Sequence, residues 1–301
     1  MSTVDAIKRG LLRGARRVSP GWESLLLMRG PLGDVLPQDL KTLDRESNVP
    51  TRVVDLPGID LRQAEQLERL ARWEGAHGSL FAELRSDAAL NPRGDGRPYV
   101  DNDFYGTPDA EVYAAMIAEV RPESIVEIGA CYSTLIARLT IDRLALDARL
   151  RVVDPAPRTD VAPYADEVIA AAVEDVDAGR LSLGAGSILF IDSSHVVRAG
   201  GDVPHLFNQV VPTLPPGAVV HVHDVFLPYD YPDACRARLY GEQYVLQALL
   251  SESRRYRLLF TTHMMCRHEP EAMGRFLGID MARGPALHGA SLWFEVLSAP
   301  S

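Results

Sequence analysis

The sequence has few cysteines, no long hydrophobic run and no excess of basic residues. The three cysteines among 301 residues, Cys131, Cys235 and Cys266, are too few and too widely spaced for a disulfide framework, and they favour a reducing compartment. No run of about 18 apolar residues occurs, so no transmembrane helix is predicted. Acidic residues outnumber basic ones by 41 to 31, which disfavours nucleic acid as the main partner. These absences predict a cytoplasmic globular protein without stable membrane insertion.

The remaining composition is that of an ordinary globular chain with room for one large domain and an extension. Hydrophobic residues make up 47% of the chain and charged residues 24%. Residues 1–17 have the pattern of a short basic amphipathic helix, and helical spacing returns at about 61–73. A turn-rich link over 91–98 then separates this region from the rest. We therefore expect a helical N-terminal extension over 1–98 and a second domain over 99–301.

Strand-like and helix-like segments alternate in the second domain. Seven segments have the length and apolar character of strands: 124–129, 150–154, 167–171, 187–192, 218–224, 256–261 and 291–296. Nearly continuous apolar strands separated by helices predict a doubly wound α/β domain, in which a mostly parallel sheet is covered on both faces.

Polar residues follow four of the predicted strands at the points where they end. Glu127 and Gly129 close the first strand, Asp154 closes the second, Asp192 is followed closely by His195, and the fifth strand ends in His223-Asp224. Ligands bind at the carboxyl ends of the strands in such sheets. The pattern therefore predicts a functional site at this edge.

These motifs, in their order and spacing, resemble class I S-adenosylmethionine-dependent methyltransferases. The segments concerned are Glu127-Ile-Gly-Ala-Cys-Tyr-Ser133, Val153-Asp154, Phe190-Ile-Asp-Ser-Ser-His195 and Pro215-Pro-Gly-Ala-Val-Val-His-Val-His-Asp224. The resemblance covers about residues 100–300 and is greatest to the small-molecule branch that includes macrocin-type sugar O-methyltransferases. It implies a Rossmann-like sheet of strand order 3-2-1-4-5-7-6.

The resemblance also implies roles for single residues. Asp154 would accept hydrogen bonds from the ribose diol of S-adenosylmethionine, and Asp192 would lie beside the sulfonium and its amino group. The implied cofactor-binding set is Glu127, Gly129, Tyr132, Ser133, Asp154 and Asp192. One position departs from the usual E-x-G-x-G loop, because Cys131 replaces the second glycine.

A divalent metal is a further expectation. Strands four and five are neighbours in the implied order, so Asp192, His223 and Asp224 could converge on one cation. Because one ligand is an imidazole, this set suits iron, manganese or zinc better than magnesium. The alternative is that His223 and Asp224 shape the pocket without a metal. His195 is the first candidate for the general base and His223 the second.

We expect methyl transfer to a hydroxyl of a sugar or natural product, with a small molecule as the substrate and a homo-oligomer as the assembly. Two alternatives stay open: a metal-dependent oxygenase or hydroxylase on the same fold, and a catalytically silent cofactor-binding subunit. A nicotinamide cofactor is disfavoured, because G-x-G-x-x-G is absent after the first strand.

Overall fold

The computed structural model describes residues 50, 52–86, 100, 102, 104–281 and 288–297. The chain divides into two compact units, one formed by 1–51 and 231–240 and the other by 52–230 and 241–301. The helix predicted over 1–17 lies outside the described residues. In the first unit, the described part includes a short helix, Asp233–Ala237.

The second unit contains a seven-stranded sheet. Its strands are β1 (Ser124–Ile128), β2 (Arg149–Val153), β3 (Glu167–Ile169), β4 (Ile188–Ile191), β5 (Val219–Val222), β6 (Tyr256–Thr261) and β7 (Leu292–Val296). They lie in the order 3-2-1-4-5-7-6, which confirms the expected topology. Neighbouring strands are parallel from β3 to β5, and β7 runs antiparallel to both β5 and β6.

The central strands are apolar on both faces, apart from the buried Glu127 in β1 and His221 in β5. All four residues of β4 and of β5 are buried, as the nearly continuous hydrophobic sequence predicts for a sheet covered on both sides. The helices of the described residues, in chain order, are α1 (Gln63–Trp73), α2 (Gly78–Ser86), α3 (Asp109–Val120), α4 (Tyr132–Arg143), α5 (Asp202–His205), α6 (Asp233–Ala237), α7 (Glu242–Leu250), α8 (Thr262–His268) and α9 (Pro270–Leu277). No helix in the described part of the chain has both the length and the apolar character needed to cross a membrane.

Two local features differ from a simple alternation of strands and helices. The chain between β3 and β4 forms two 3-10 turns, Val173–Asp175 and Ala178–Leu181, where a helix would be expected. Helix α3 begins at Asp109, directly after Pro108, and the Thr107 hydroxyl donates to Glu111 Oε1 at 2.9 Å.

Part of the predicted N-terminal extension packs on the edge strand β6. The Gln66 side chain is fully buried, and its Oε1 accepts a hydrogen bond from the Thr261 backbone N–H at 2.8 Å. The Trp73 ring lies 5.4 Å from that of Phe260, centroid to centroid. Residues 52–86 therefore share a core with the sheet.

Candidate active site

The turn after β1 requires glycine. Gly129 has φ +87°, and a Cβ built on it would lie 1.9 Å from the backbone oxygen of Asp192. Its N–H donates to Val153 O at 2.9 Å, so the turn is held between the ends of β2 and β4. Cys131 stands in place of the next glycine of the usual loop, directly before helix α4, and its backbone has φ −174°.

Asp154 lies beside this turn at the carboxyl end of β2. Its Oδ2 accepts from the Ala130 N–H at 2.9 Å and its Oδ1 from the Ala156 N–H at 2.7 Å. A carboxylate has about four acceptor positions, so two hydrogen bonds leave capacity for two more. The side chain is held at the edge by backbone donors and can still accept from a diol.

Glu127 is placed differently from the other predicted cofactor residues. Its side chain is fully buried, and its carboxylate accepts hydrogen bonds from Tyr113 Oη at 3.0 Å and Thr134 Oγ1 at 2.5 Å. Burial raises the pKa of Glu127 to about 7, although the hydrogen bonds from Thr134 and Tyr113 lower it. Glu127 therefore joins β1 to α3 and α4 beneath the turn.

The raised pKa of Glu127 predicts a pH-dependent stability. A carboxyl group with a folded-state pKa above its unfolded value stabilises fully below the unfolded pKa, 4.5, and loses this contribution as the pH rises through about 7. Glu127→Gln keeps the shape and removes the ionisation. We compare the free energy of unfolding of the variant with that of the wild type at pH 5 and at pH 8. The difference should change by about 2–3 kcal/mol in favour of the variant as the pH rises. Urea unfolding at the two pH values measures this, and a constant difference would contradict the account.

Tyr132 and Ser133 begin helix α4 and are both buried, with 3% of each residue exposed. The Tyr132 ring stacks on Phe104 with a centroid distance of 6.1 Å and an interplanar angle of 11°. The Arg158 guanidinium lies over the Phe104 ring, 4.7 Å from its centroid. The loops after β1 and β2 are thus connected by stacked side chains.

The ends of β4 and β5 bring three predicted metal ligands together. Ile191 pairs with Val222 in the sheet, so Asp192 and His223 follow at the same level. One ligand atom from each of Asp192, His223 and Asp224 lies within 4.8 Å of the other two. His223 Nδ1 is 3.4 Å from Asp192 Oδ1 and 3.9 Å from Asp224 Oδ1. These spacings fit a set of donors that share one cation.

His195 lies against the same two carboxylates. Its Nε2 is 3.2 Å from Asp192 Oδ1 and 3.5 Å from Asp224 Oδ2, and only 5% of its side chain is exposed. Burial lowers the pKa of His195, but the carboxylates of Asp192, Glu242 and Asp224 raise it well above its ordinary value. Burial also raises the pKa of Asp192, whereas His223 and His195 lower it well below the usual range.

Two carboxylates that support the histidines had no distinctive sequence signal. Asp109 Oδ2 lies 3.6 Å from His223 Nε2 and accepts the Ala290 N–H at 2.7 Å. Glu242 Oε2 lies 2.8 Å from His195 Nδ1. Both acids stand in the first turn of a helix, where an acidic residue is explained by the helix dipole alone. Sequence reasoning therefore missed their contacts with the site.

The strand order is the one that the resemblance to class I S-adenosylmethionine-dependent methyltransferases implies. No family model and no curated protein matches the chain.

Several solved structures are similar to the chain. A candidate O-methyltransferase from Klebsiella pneumoniae is 12% identical, with 76% of this chain and 99% of that chain covered and a TM-score of 0.46. A Podospora anserina methyltransferase with SAH bound is 15% identical over 76% of this chain and 88% of its own, with a TM-score of 0.40. An O-methyltransferase from Bacillus cereus in complex with SAH is 14% identical, with 77% of this chain and 90% of that chain covered and a TM-score of 0.41.

Proposed function

We propose that the protein transfers a methyl group from S-adenosylmethionine to a hydroxyl of a small molecule, such as a sugar or a natural product. The observation that carries the proposal is the position of Asp154. Its carboxylate stands at the end of β2, is anchored by the N–H of Ala130 and faces the turn at Gly129. A ribose diol needs such an acceptor, because one carboxylate can accept both hydroxyl protons.

The charge of the site also suits this cofactor. Asp192 and Asp224 end two neighbouring strands with part of each side chain exposed, 30% and 25% respectively. S-adenosylmethionine supplies a sulfonium methyl group for in-line displacement, and an anionic edge favours its positive charge. Asp192 would lie next to that charge, and the Gly129 turn keeps the backbone close without a side chain.

The chain's own residues would orient the acceptor and take its proton. His195 is the first candidate for the base, because its Nε2 faces the carboxylates of the site. These carboxylates raise its pKa, so Nε2 would accept a proton only when the sulfonium or another cation offsets their charge. His223, with Nδ1 on the same carboxylates, is the second. Positioning a hydroxyl in line with a methyl group and removing its proton are the two tasks that this reaction requires.

We further propose that Asp192, His223 and Asp224 hold one divalent metal ion. Two carboxylates and an imidazole suit manganese, iron or zinc, and a bound cation would acidify the acceptor hydroxyl. The mutual distances of the donor atoms, within 4.8 Å, support this assignment.

A cytoplasmic location and a homo-oligomeric assembly remain predictions from the sequence.

A metal-dependent oxygenase is the second candidate function. Two histidines and a carboxylate are the usual ligands of non-haem iron, and His195 and His223 both lie beside Asp192. Iron analysis combined with oxygen consumption distinguishes this function from methyl transfer. The silent-subunit alternative predicts a folded protein that does not bind S-adenosylmethionine at all.

Replacing Asp154 tests the ribose assignment. We expect Asp154→Ala to weaken S-adenosylmethionine binding by roughly 1–3 kcal/mol, because the two ribose hydroxyls lose their charged acceptor. Isothermal titration calorimetry measures the affinity, with folding checked by circular dichroism. Asp177→Ala is the matched control, because Asp177 Oδ1 accepts the Gly179 N–H at 2.8 Å in a similar turn away from the site. Equal affinities in the Asp154 variant and the control would disprove the assignment.

A further inference from the structure

Glu242 is a fully buried carboxylate in direct contact with His195. Its Oε2 lies 2.8 Å from His195 Nδ1, and none of the residue is exposed to solvent. Its other oxygen, Oε1, has no hydrogen-bond partner among the described residues. Burying a carboxylate with one oxygen unpaired costs free energy that an apolar side chain of similar size would avoid. Stability alone therefore does not explain a glutamate here.

The same turn of helix also holds the backbone of His195. The carbonyl oxygen of His195 accepts from the N–H groups of Gly241 at 2.8 Å and Glu242 at 3.2 Å. His195 has φ +59°, a left-handed conformation that is unfavourable for a residue with a side chain. The start of α7 thus holds both the strained backbone and the ring of His195.

This two-point attachment determines which ring nitrogen faces the site. An imidazole that donates Nδ1–H to a carboxylate behind it presents Nε2 on the opposite side. In this protein, that side holds Asp192 Oδ1 at 3.2 Å and Asp224 Oδ2 at 3.5 Å. Without Glu242, the ring could rotate about its side-chain bonds or carry its proton on the wrong nitrogen.

We propose that Glu242 is the positioning residue of His195: it holds the Nδ1 proton and directs Nε2 toward the carboxylate pair at the reaction site. The inference rests on the proposed function for the use of Nε2, but the contact itself can be tested separately. Glu242 acts only through His195, since its carboxylate is enclosed by protein.

Proton NMR of histidine-labelled protein tests the contact. A buried imidazole N–H that donates to a carboxylate gives a far-downfield, slowly exchanging resonance, which His195→Gln should remove and thereby assign. We expect Glu242→Gln to shift this resonance upfield and to speed its exchange with water, because a neutral amide oxygen accepts the proton less strongly than a carboxylate does. Glu252→Gln, at an exposed glutamate just beyond α7, should change neither. If the wild type lacks the resonance, or Glu242→Gln leaves it in place, the proposal is wrong.

Turnover separates positioning from a purely structural role. With radiolabelled S-adenosylmethionine and a panel of sugar and phenol acceptors, Glu242→Gln should lower kcat roughly 100-fold while the KM for S-adenosylmethionine stays the same. A lower thermal midpoint with unchanged kcat would assign Glu242 a structural role and overturn the proposal. If the wild type transfers no methyl group while the NMR result holds, the proposed function fails and the Glu242–His195 contact stands.

Discussion

Gly129→Ala is expected to abolish S-adenosylmethionine binding and to lower the free energy of unfolding by about 3 kcal/mol or more. Two effects combine at this position. The backbone has φ +87°, and the added Cβ would lie 1.9 Å from the Asp192 backbone oxygen, far inside van der Waals contact. Because the carbonyl belongs to the end of β4, the ends of two strands must separate. Calorimetric titration and urea unfolding measure the two effects.

Gly186→Ala is the matched control for this prediction. Gly186 also has a positive φ, +71°, but a Cβ there meets nothing within 4 Å. Its cost should be limited to backbone strain of about 1–2 kcal/mol, with cofactor affinity unchanged. Equal losses in the two variants would mean that the approach of Gly129 to Asp192 has no special importance.

The second large effect is expected when Asp192 is removed. Asp192→Ala takes one of the three clustered donors away, and a manganese ion would be left with His223 and Asp224. Changes to groups that only support metal ligands typically cost 10–100-fold in affinity, so loss of a direct ligand should weaken manganese binding by at least about 100-fold. Electron paramagnetic resonance of free manganese measures the affinity, on protein purified without a nickel column.

Asp177→Ala again serves as the control, because this exposed acid lies outside the cluster. It should bind manganese as the wild type does, and chelation should remove the metal from both. If elemental analysis finds no metal and the wild type binds no manganese, the three residues shape the pocket only, and His195 stands alone as the base candidate.

The fold could be predicted because its signals are local. The seven strands are short apolar runs bounded by turns, and each predicted segment overlaps an observed strand. The strand order came from the resemblance, and the observed order confirms it. Two 3-10 turns take the place of the helix expected between β3 and β4, and they also connect these two parallel strands.

The site was only partly predictable, since contacts between distant segments leave no local pattern. Asp192, His223 and Asp224 could be grouped because parallel strands end at one edge. The burial of Glu127 could not be predicted, because its hydrogen-bond partner Tyr113 lies on another element. Glu242 is separated from His195 by 47 positions, and only the folded chain brings them together.

Titration of the purified wild-type protein with S-adenosylmethionine measures whether the site binds this cofactor. We expect saturable binding of one molecule per chain and competition by SAH. We expect no binding of a nicotinamide dinucleotide, since the turn at Gly129 lacks the glycines that a dinucleotide needs. A folded protein that gives no heat with either S-adenosylmethionine or SAH would contradict the account and leave the silent or oxygenase alternatives.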